Sequence, residues 1–300
     1  MAGYYYGQLS KEKKAVYDML AAGCDALAAV IRVPDLGTEV LSDIYLRMKL
    51  DLPLLFFVTG FHYRKMPGAD HVEVLPDYLF DRGKVKMHRQ AVTARLERLA
   101  RPLKGKSDRE KELAIHDFIL ENVTYDKLKK SYSHEIIGPL TQGVGVCEGI
   151  AKTVKGQRYH VDATFDNSLQ RGMKRYDYFN LDDRHIFRDH QRLVLPLPEC
   201  SGDKGYFYRA LSFTKTEDVE KRVRQALRKK QEHFVFHWRG GGLNQEILGQ
   251  LLEKCAGAAA ERGKTVGCSL NRAQAVIQLD FSDAPAGEVL VEEPDEGQKL

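Results

Sequence analysis

The sequence has few of the features that place a chain in a specialised class of protein. It contains one tryptophan, and its 46 Lys and Arg residues exceed its 42 Asp and Glu residues by only four. That surplus is too small to indicate nucleic-acid binding, which needs a concentrated basic surface. The longest apolar run, residues 52–58, is much shorter than the roughly 20 residues that span a bilayer. We therefore expect neither a nucleic-acid nor a membrane partner.

Cysteine is also scarce, and the spacing of the cysteines indicates neither a disulfide framework nor a metal site. The five cysteines are an odd number, and no two have the C-x-x-C spacing of a zinc or redox site. Neither a disulfide framework nor a metal or other cofactor is expected from them. Their positions are Cys24, Cys147, Cys200, Cys255 and Cys268.

What is present fits a globular protein. A chain of 300 residues with 43% hydrophobic residues can form two compact domains, or one core with sizeable additions. Residues 1–14 lack the apolar stretch of a secretory signal, which favours a cytoplasmic protein.

Apolar residues at helical spacing predict several helices in the first half of the chain. The predicted helices cover residues 11–31, 85–101 and 107–122. The third has a capping box, in which Ser107 is followed three residues later by Glu110. Residues 51–61 are predicted as a buried strand, and residues 62–81 as a connection with a short extended piece.

In the second half of the chain, segments with strand patterns alternate with segments that have helical spacing, which predicts a small α/β or α+β unit. Strands are predicted over 206–213, 233–238, 264–270 and 274–281, and helices over 217–230 and 243–262. Residues 284–300 are polar and acidic and are predicted to be a frayed tail.

The most informative short segment is glycine-rich and contains Cys147. Residues 143–149 read GVGVCEG and precede a predicted helix start. A thiol at a helix N-terminus can have its pKa lowered from ~8.5 into the range ~3.5–7.5, giving a nucleophilic thiolate at neutral pH. The neighbouring N–H groups could stabilise an oxyanion. Local sequence alone leaves a buried structural cysteine as an equal alternative.

Three motifs in order resemble the bacterial transglutaminase-like superfamily. Residues 113–126 read LAIHDFILENVTYD, residues 145–152 read GVCEGIAK, and residues 159–166 read YHVDATFD. The later segments 179–183 and 189–190 also resemble the stretch that follows the family core. The flanking regions resemble the family more loosely.

This resemblance implies a papain-like core with a Cys, His, Asp triad in chain order. Cys147 matches the nucleophile, and Asp162 matches the acid that orients the histidine. The implied activity is acyl transfer or hydrolysis at peptide or amide bonds of a peptide or protein substrate. The implied mechanism requires neither a metal nor another cofactor.

The chain departs from the family pattern at the catalytic base. The family carries a Gly-His-Ala-Trp-Asn-like motif on a strand between the cysteine and the aspartate, whereas here only fifteen positions separate Cys147 from Asp162. A natural deletion, a mispredicted gene model and an omitted coding segment would each produce such a join near 155–156. His160, two residues before Asp162 on the predicted strand, is the best substitute base, and a packed or surface strand histidine is the alternative.

The resulting interpretation is an α+β protein with four parts. A helical N-terminal region covers 1–105, a transglutaminase-like core with the papain-like fold covers 106–200, a small C-terminal α/β sandwich covers 201–283, and a flexible tail covers 284–300. The leading function is a cysteine acyl transferase or hydrolase. The alternative is a non-catalytic scaffold that binds a peptide or protein.

Overall fold

The computed structural model describes residues 3–147, 159–191, 199–202 and 204–283, together with the backbone of residues 290–291. The chain divides into two compact units, residues 1–155 and 156–300. Both units combine helices with small sheets, which confirms the α+β class. Among the described residues, no helix is both long and apolar enough to cross a membrane.

Unit 1 is rich in helices that bury one apolar face. Val16 and Leu20 lie four residues apart on one helix, Ile44 and Met48 lie four apart on another, and all four are essentially buried. Side chains at this spacing share a helix face, so each helix turns one stripe into the interior. The α-helices labelled in this unit are α1 Tyr4–Gly7, α2 Lys11–Asp25, α3 Thr38–Asp51, α4 Arg82–Ala100 and α5 Asp108–Asn122.

A three-stranded antiparallel sheet packs with these helices. Its strands are β1 Ile31–Pro34, β2 Val58–Arg64 and β3 His71–Tyr78, in the spatial order β1-β3-β2. The predicted helix over 11–31 is too long, because Leu27 takes a left-handed φ of 55° and the chain leaves the helix. Ile31 then pairs with Val74 in the sheet.

The predicted strand over 51–61 is also displaced. Asp51 is the last residue of α3, and residues 53–55 form a short 3₁₀ turn that begins at Pro53. Strand β2 therefore begins only at Val58, and it continues beyond Gly60 to Arg64. An uninterrupted run of apolar residues shows neither helical nor strand periodicity, so the sequence pattern cannot locate where the helix ends and the strand begins.

The capping box at the start of α5 is confirmed. The Ser107 hydroxyl accepts a hydrogen bond from the Glu110 N–H at 3.3 Å, and the Glu110 carboxylate accepts one from the Ser107 N–H at 2.8 Å. The helix ends at Asn122 and leads directly into a short strand. This strand, β4 Thr124–Tyr125, pairs in parallel with β5 Val144–Gly145.

Unit 2 begins, in its described part, with four short elements. Strand β6 His160–Val161 pairs antiparallel with β7 Phe179–Leu181, and the helices are α6 Ala163–Ser168 and α7 Asp183–Ile186. The predicted strand over 157–163 is cut short, because Asp162 caps α6 by accepting the N–H groups of Thr164 and Phe165. Residues 157–158 of that prediction lie outside the described residues.

A five-stranded sheet forms the centre of unit 2. In chain order its elements are β8 Ser212–Phe213, α8 Thr216–Arg228, β9 His233–Trp238, α9 Gln245–Ala260, β10 Thr265–Asn271, β11 Val276–Ser282 and β12 Leu290–Val291. The spatial order is β12-β10-β11-β9-β8. The predicted helices and three of the four predicted strands agree with these bounds. The fourth, 206–213, is a 3₁₀ turn over 207–211 followed by the two residues of β8.

The predicted tail, 284–300, lies outside the described residues except at 290–291, where the backbone pairs in parallel with β10.

This sheet is covered on both faces. One face packs against α8 and α9, with Phe236 and Leu279 fully buried at the contact. The opposite face, which includes Val235 and Val276, packs against aromatic and aliphatic residues between positions 165 and 211. The cluster on this opposite face contains residues from both sides of the predicted boundary between 200 and 201.

Candidate functional site

Cys147 lies two residues beyond β5, and its side chain is neither fully buried nor fully exposed. Its Sγ is 4.0 Å from the Tyr125 hydroxyl oxygen. The pairing of β4 with β5 brings the two side chains together, since Tyr125 is the register partner of Gly145. The backbone at Cys147 is helical, and the predicted continuation of that helix over 148–154 lies outside the described residues.

The turn beneath this cysteine is held by Asp126, which is 7% exposed. Its carboxylate accepts hydrogen bonds from the Ser133 hydroxyl at 2.5 Å and from the N–H groups of Leu128 and Lys130 at 3.0 Å each. The hydrogen bond from Ser133 is the main cause that lowers the pKa of Asp126. The Val146 N–H donates to the Ser133 carbonyl at 3.0 Å, so the residue before Cys147 is anchored to the same turn.

Tyr125 is the polar group closest to the sulfur that the described contacts show. Burial raises the pKa of Tyr125, and the charge of Cys147 and the hydrogen bond to it raise that pKa further. The phenol therefore stays protonated at neutral pH and can donate its O–H to a thiolate. A hydrogen bond donated to the charged form of an acid stabilises that form. Tyr125 belongs to the motif at 113–126, but no functional role of its side chain was predicted from the sequence.

In unit 2, Asp162 contacts a histidine. Its Oδ2 lies 3.1 Å from Nε2 of His190, while its Oδ1 caps α6. The other ring nitrogen, Nδ1, lies 2.7 Å from Oδ1 of Asp189. Asp189 is held in turn by the Tyr178 hydroxyl at 2.6 Å and the Gln274 amide at 3.2 Å.

The His190 ring is thus placed between two carboxylates. Burial lowers its pKa, but the hydrogen bonds to Asp162 and Asp189 and the charges of these carboxylates outweigh burial and raise it to about 9. Both ring nitrogens face acceptors, which requires both to carry a proton. His190 is consequently an imidazolium at neutral pH.

His160 has different partners. Its Nε2 lies 2.6 Å from Oδ1 of Asp183, and its ring packs edge-on against Phe187. No hydrogen bond or ion pair between His160 and Asp162 is present among the described residues. The predicted substitute base and the predicted orienting acid therefore belong to two separate histidine–carboxylate pairs.

His160 and Asp183 also lie close to buried Cys200, and their ligand atoms all lie within 4.8 Å of one another. The Asp183 N–H donates to the Cys200 carbonyl at 2.8 Å, which fixes the two segments together. Imidazole, carboxylate and thiolate are all ligands that zinc accepts, but a structural zinc site uses four protein ligands. The described residues supply three, so this set could hold a metal only with a further ligand.

Asp162 was predicted as the orienting acid, but the histidine that it binds was not predicted from the sequence. His190 stands 28 positions later, outside the order of residues that the family pattern implies. The only signal was the Asp189–His190 pair within a segment that already resembled the family.

No family model matches the chain, and no curated protein matches it either.

Proposed function

We propose that this chain is a transglutaminase-like cysteine acyl transferase or hydrolase acting on peptide or amide bonds. The observation that carries the proposal is the hydrogen bond between Asp162 and His190. Asp162, which the resemblance assigns to orienting a histidine, binds the imidazole of His190. His190 is therefore a candidate for the role of the histidine that is missing from the family motif. Support for the nucleophile comes from the intermediate exposure of Cys147, whereas the other four cysteines are buried, and from the Tyr125 hydroxyl beside its sulfur.

In the proposed reaction the Cys147 thiolate attacks the carbonyl carbon of an amide, and a C–S bond forms. The C–N bond then breaks, and the leaving amine takes a proton from an imidazolium. An acceptor amine or water attacks the resulting thioester, loses a proton to the imidazole and releases the thiolate. Unit 2 contains a histidine in the required protonation state, because the raised pKa of His190 keeps its ring an imidazolium at neutral pH. Asp162 is the carboxylate that binds the Nε2 atom of this ring.

A second candidate, a non-catalytic scaffold that binds a peptide or protein, is favoured by one feature of the same pair. Both nitrogens of His190 already face carboxylates, at 3.1 Å and 2.7 Å. Proton delivery to a substrate requires one of these contacts to open. If Asp162 and Asp189 hold the ring permanently, the histidine is a structural cation.

Alkylation of native protein with iodoacetamide separates the two candidates. The other four cysteines are buried, and burial raises the pKa of Cys24 to about 11, of Cys268 to about 11 and of Cys255 to about 12. One thiol per chain should therefore react quickly, and Cys147→Ala should abolish that reaction. For the enzyme, the rate titrates at or below neutral pH and the inflection moves upward in His190→Gln.

The matched control is His233→Gln, which removes another histidine of unit 2 that pairs with a carboxylate, Asp280, at 2.7 Å. It should leave the titration of Cys147 unchanged. A rate that rises only near pH 8–9 and is insensitive to His190→Gln contradicts the enzyme and leaves the scaffold.

A further inference from the structure

Unit 2 contains a cavity of about 620 Å³ whose lining residues include neither Cys147 nor the His190 pair. Its volume lies within the range of roughly 300–1,000 Å³ that is typical of small-molecule sites. The described lining comes from four separate segments of the chain: β7 with α7 and the residues just after it, the 3₁₀ turn at 207–211 with its flanking residues, the end of β9 with the following glycine loop, and the turn between β10 and β11.

The lining is strongly cationic although the whole chain is nearly neutral. Five arginines line the cavity: Arg184, Arg188, Arg209, Arg239 and Arg272. Among the lining residues that the structure describes, the only acidic one is Asp182, and its carboxylate is bound to Nδ1 of His185 at 2.5 Å. Among the residues that the structure describes, no carboxylate forms a salt bridge with the side chain of Arg184, Arg209 or Arg239. The sequence did not reveal this charge, because the arginines are scattered over almost ninety positions.

Three buried side chains in the lining carry polar atoms without a partner in the described part of the chain. They are the Tyr206 hydroxyl, the Trp238 indole Nε1 and the Asn180 amide oxygen, on residues that are 9%, 4% and 1% exposed. Leaving a buried polar group unpaired is costly, and three such groups belong to residues that line this cavity. The hydroxyl and the indole N–H can both donate hydrogen bonds, as arginine does.

The electrostatic state of His237, which also lines the cavity, agrees with a cationic site. Burial lowers its pKa, and coulombic interactions with His185, Arg188 and Arg239 lower that pKa further, to about 4. His237 is therefore neutral at pH 7. Its Nδ1 lies 2.9 Å from the Ser212 hydroxyl, which itself donates to the Tyr208 carbonyl at 2.9 Å.

We propose that this cavity binds a phosphorylated small molecule. Guanidinium groups bind phosphate oxygens through paired, charge-assisted hydrogen bonds, and three of the lining arginines, Arg184, Arg209 and Arg239, form no salt bridge with a described carboxylate. The charged groups of the described lining are mainly hydrogen-bond donors, which matches a ligand with acceptor oxygens. The volume leaves room for an organic body beside the charged group. The shared chemistry of the candidates is a multiply charged oxyanion, so the test includes a carboxylate competitor.

The test is calorimetric titration of the full chain with pyrophosphate, and in parallel with citrate. Saturable binding of pyrophosphate, tighter than that of citrate, is expected. Arg209→Gln and Arg239→Gln should each weaken pyrophosphate binding by about tenfold or more, the usual loss for a hydrogen bond to a charged group. Both residues are exposed at the cavity, so the variants should fold.

The matched control is Arg222→Gln on α8, which removes the same charge from an exposed residue outside the cavity lining. It should leave the affinity within about twofold of the parent. The proposal is overturned if pyrophosphate shows no saturable binding, or if Arg222→Gln weakens binding as much as the cavity variants. Citrate binding as tightly as pyrophosphate would reject the phosphate class. None of these outcomes bears on the alkylation of Cys147.

Discussion

His190 should contribute to stability in a way that disappears with rising pH. Its pKa in the folded chain is about 9, above its ordinary value of 6.5, because the contacts with Asp162 and Asp189 outweigh burial. The raised pKa means that the folded state holds the proton more tightly than the unfolded state. The stabilisation is therefore fully present below pH 6.5 and is lost as pH rises through 9.

The magnitude follows from the size of the shift. Each pKa unit corresponds to about 1.4 kcal/mol, so a shift of this size stabilises the folded chain by about 3 kcal/mol at pH 6. The side chain of His190 is 20% exposed, so solvent screens the contacts only in part. We expect His190→Gln to lower the free energy of unfolding by about that amount at pH 6 and by much less above pH 9.

Urea unfolding followed by tryptophan fluorescence measures this difference. The chain has a single tryptophan, Trp238, and it lies in the sheet of unit 2, the unit that contains His190. Unfolding curves of parent and His190→Gln are compared at pH 6, 7.5 and 9.5. A difference that is constant over this range, or that grows with pH, would refute the reasoning, since it would show that the ring is not held as an imidazolium.

Three further predictions concern other parts of the structure. Replacing buried Asp177 with Ala leaves the guanidinium of Arg175, whose side chain is 2% exposed, without its carboxylate, and should cost about 3–5 kcal/mol in urea unfolding. Glu220→Ala breaks a partly exposed ion pair with Arg224 and should cost less than about 1 kcal/mol. Equal costs would contradict the difference in burial. Ser107→Ala removes the cap of α5 and should cost about 1 kcal/mol by thermal unfolding, a loss that Ser107→Asp should largely avoid. Tyr125→Phe removes the hydroxyl beside Cys147 and should move the inflection of the alkylation rate to higher pH; no movement would show that the hydroxyl does not stabilise the thiolate.

Features that depend on residues close together in the sequence could be predicted, whereas features that depend on distant partners could not. The capping box of Ser107 and the helices and strands between 216 and 282 follow from short-range spacing, and the structure has them. The predicted helix over 11–31 was wrong at its end, because the strand that begins at Ile31 is set by pairing with Val74, more than forty positions away. A helical pattern contains no information about such a partner.

The candidate site shows the same limit. Asp162 and Cys147 were chosen from motifs that carry their own local signal. The partner of Asp162 was not, because His190 reaches it only through the fold. The cationic cavity could not be predicted for the same reason. Arg184 and Arg272 line one cavity although they are far apart in the sequence, and the net charge of +4 does not show where the charges lie.

The sheet of unit 2, covered on both faces, also limits how the chain can be dissected. Val235 and Val276 are buried by residues that precede position 212. The same face carries polar side chains that are buried in the whole chain, such as Gln278, which binds the guanidinium of Arg175. A fragment beginning at residue 212 would lose these partners, and its sheet should be less stable than in the full chain.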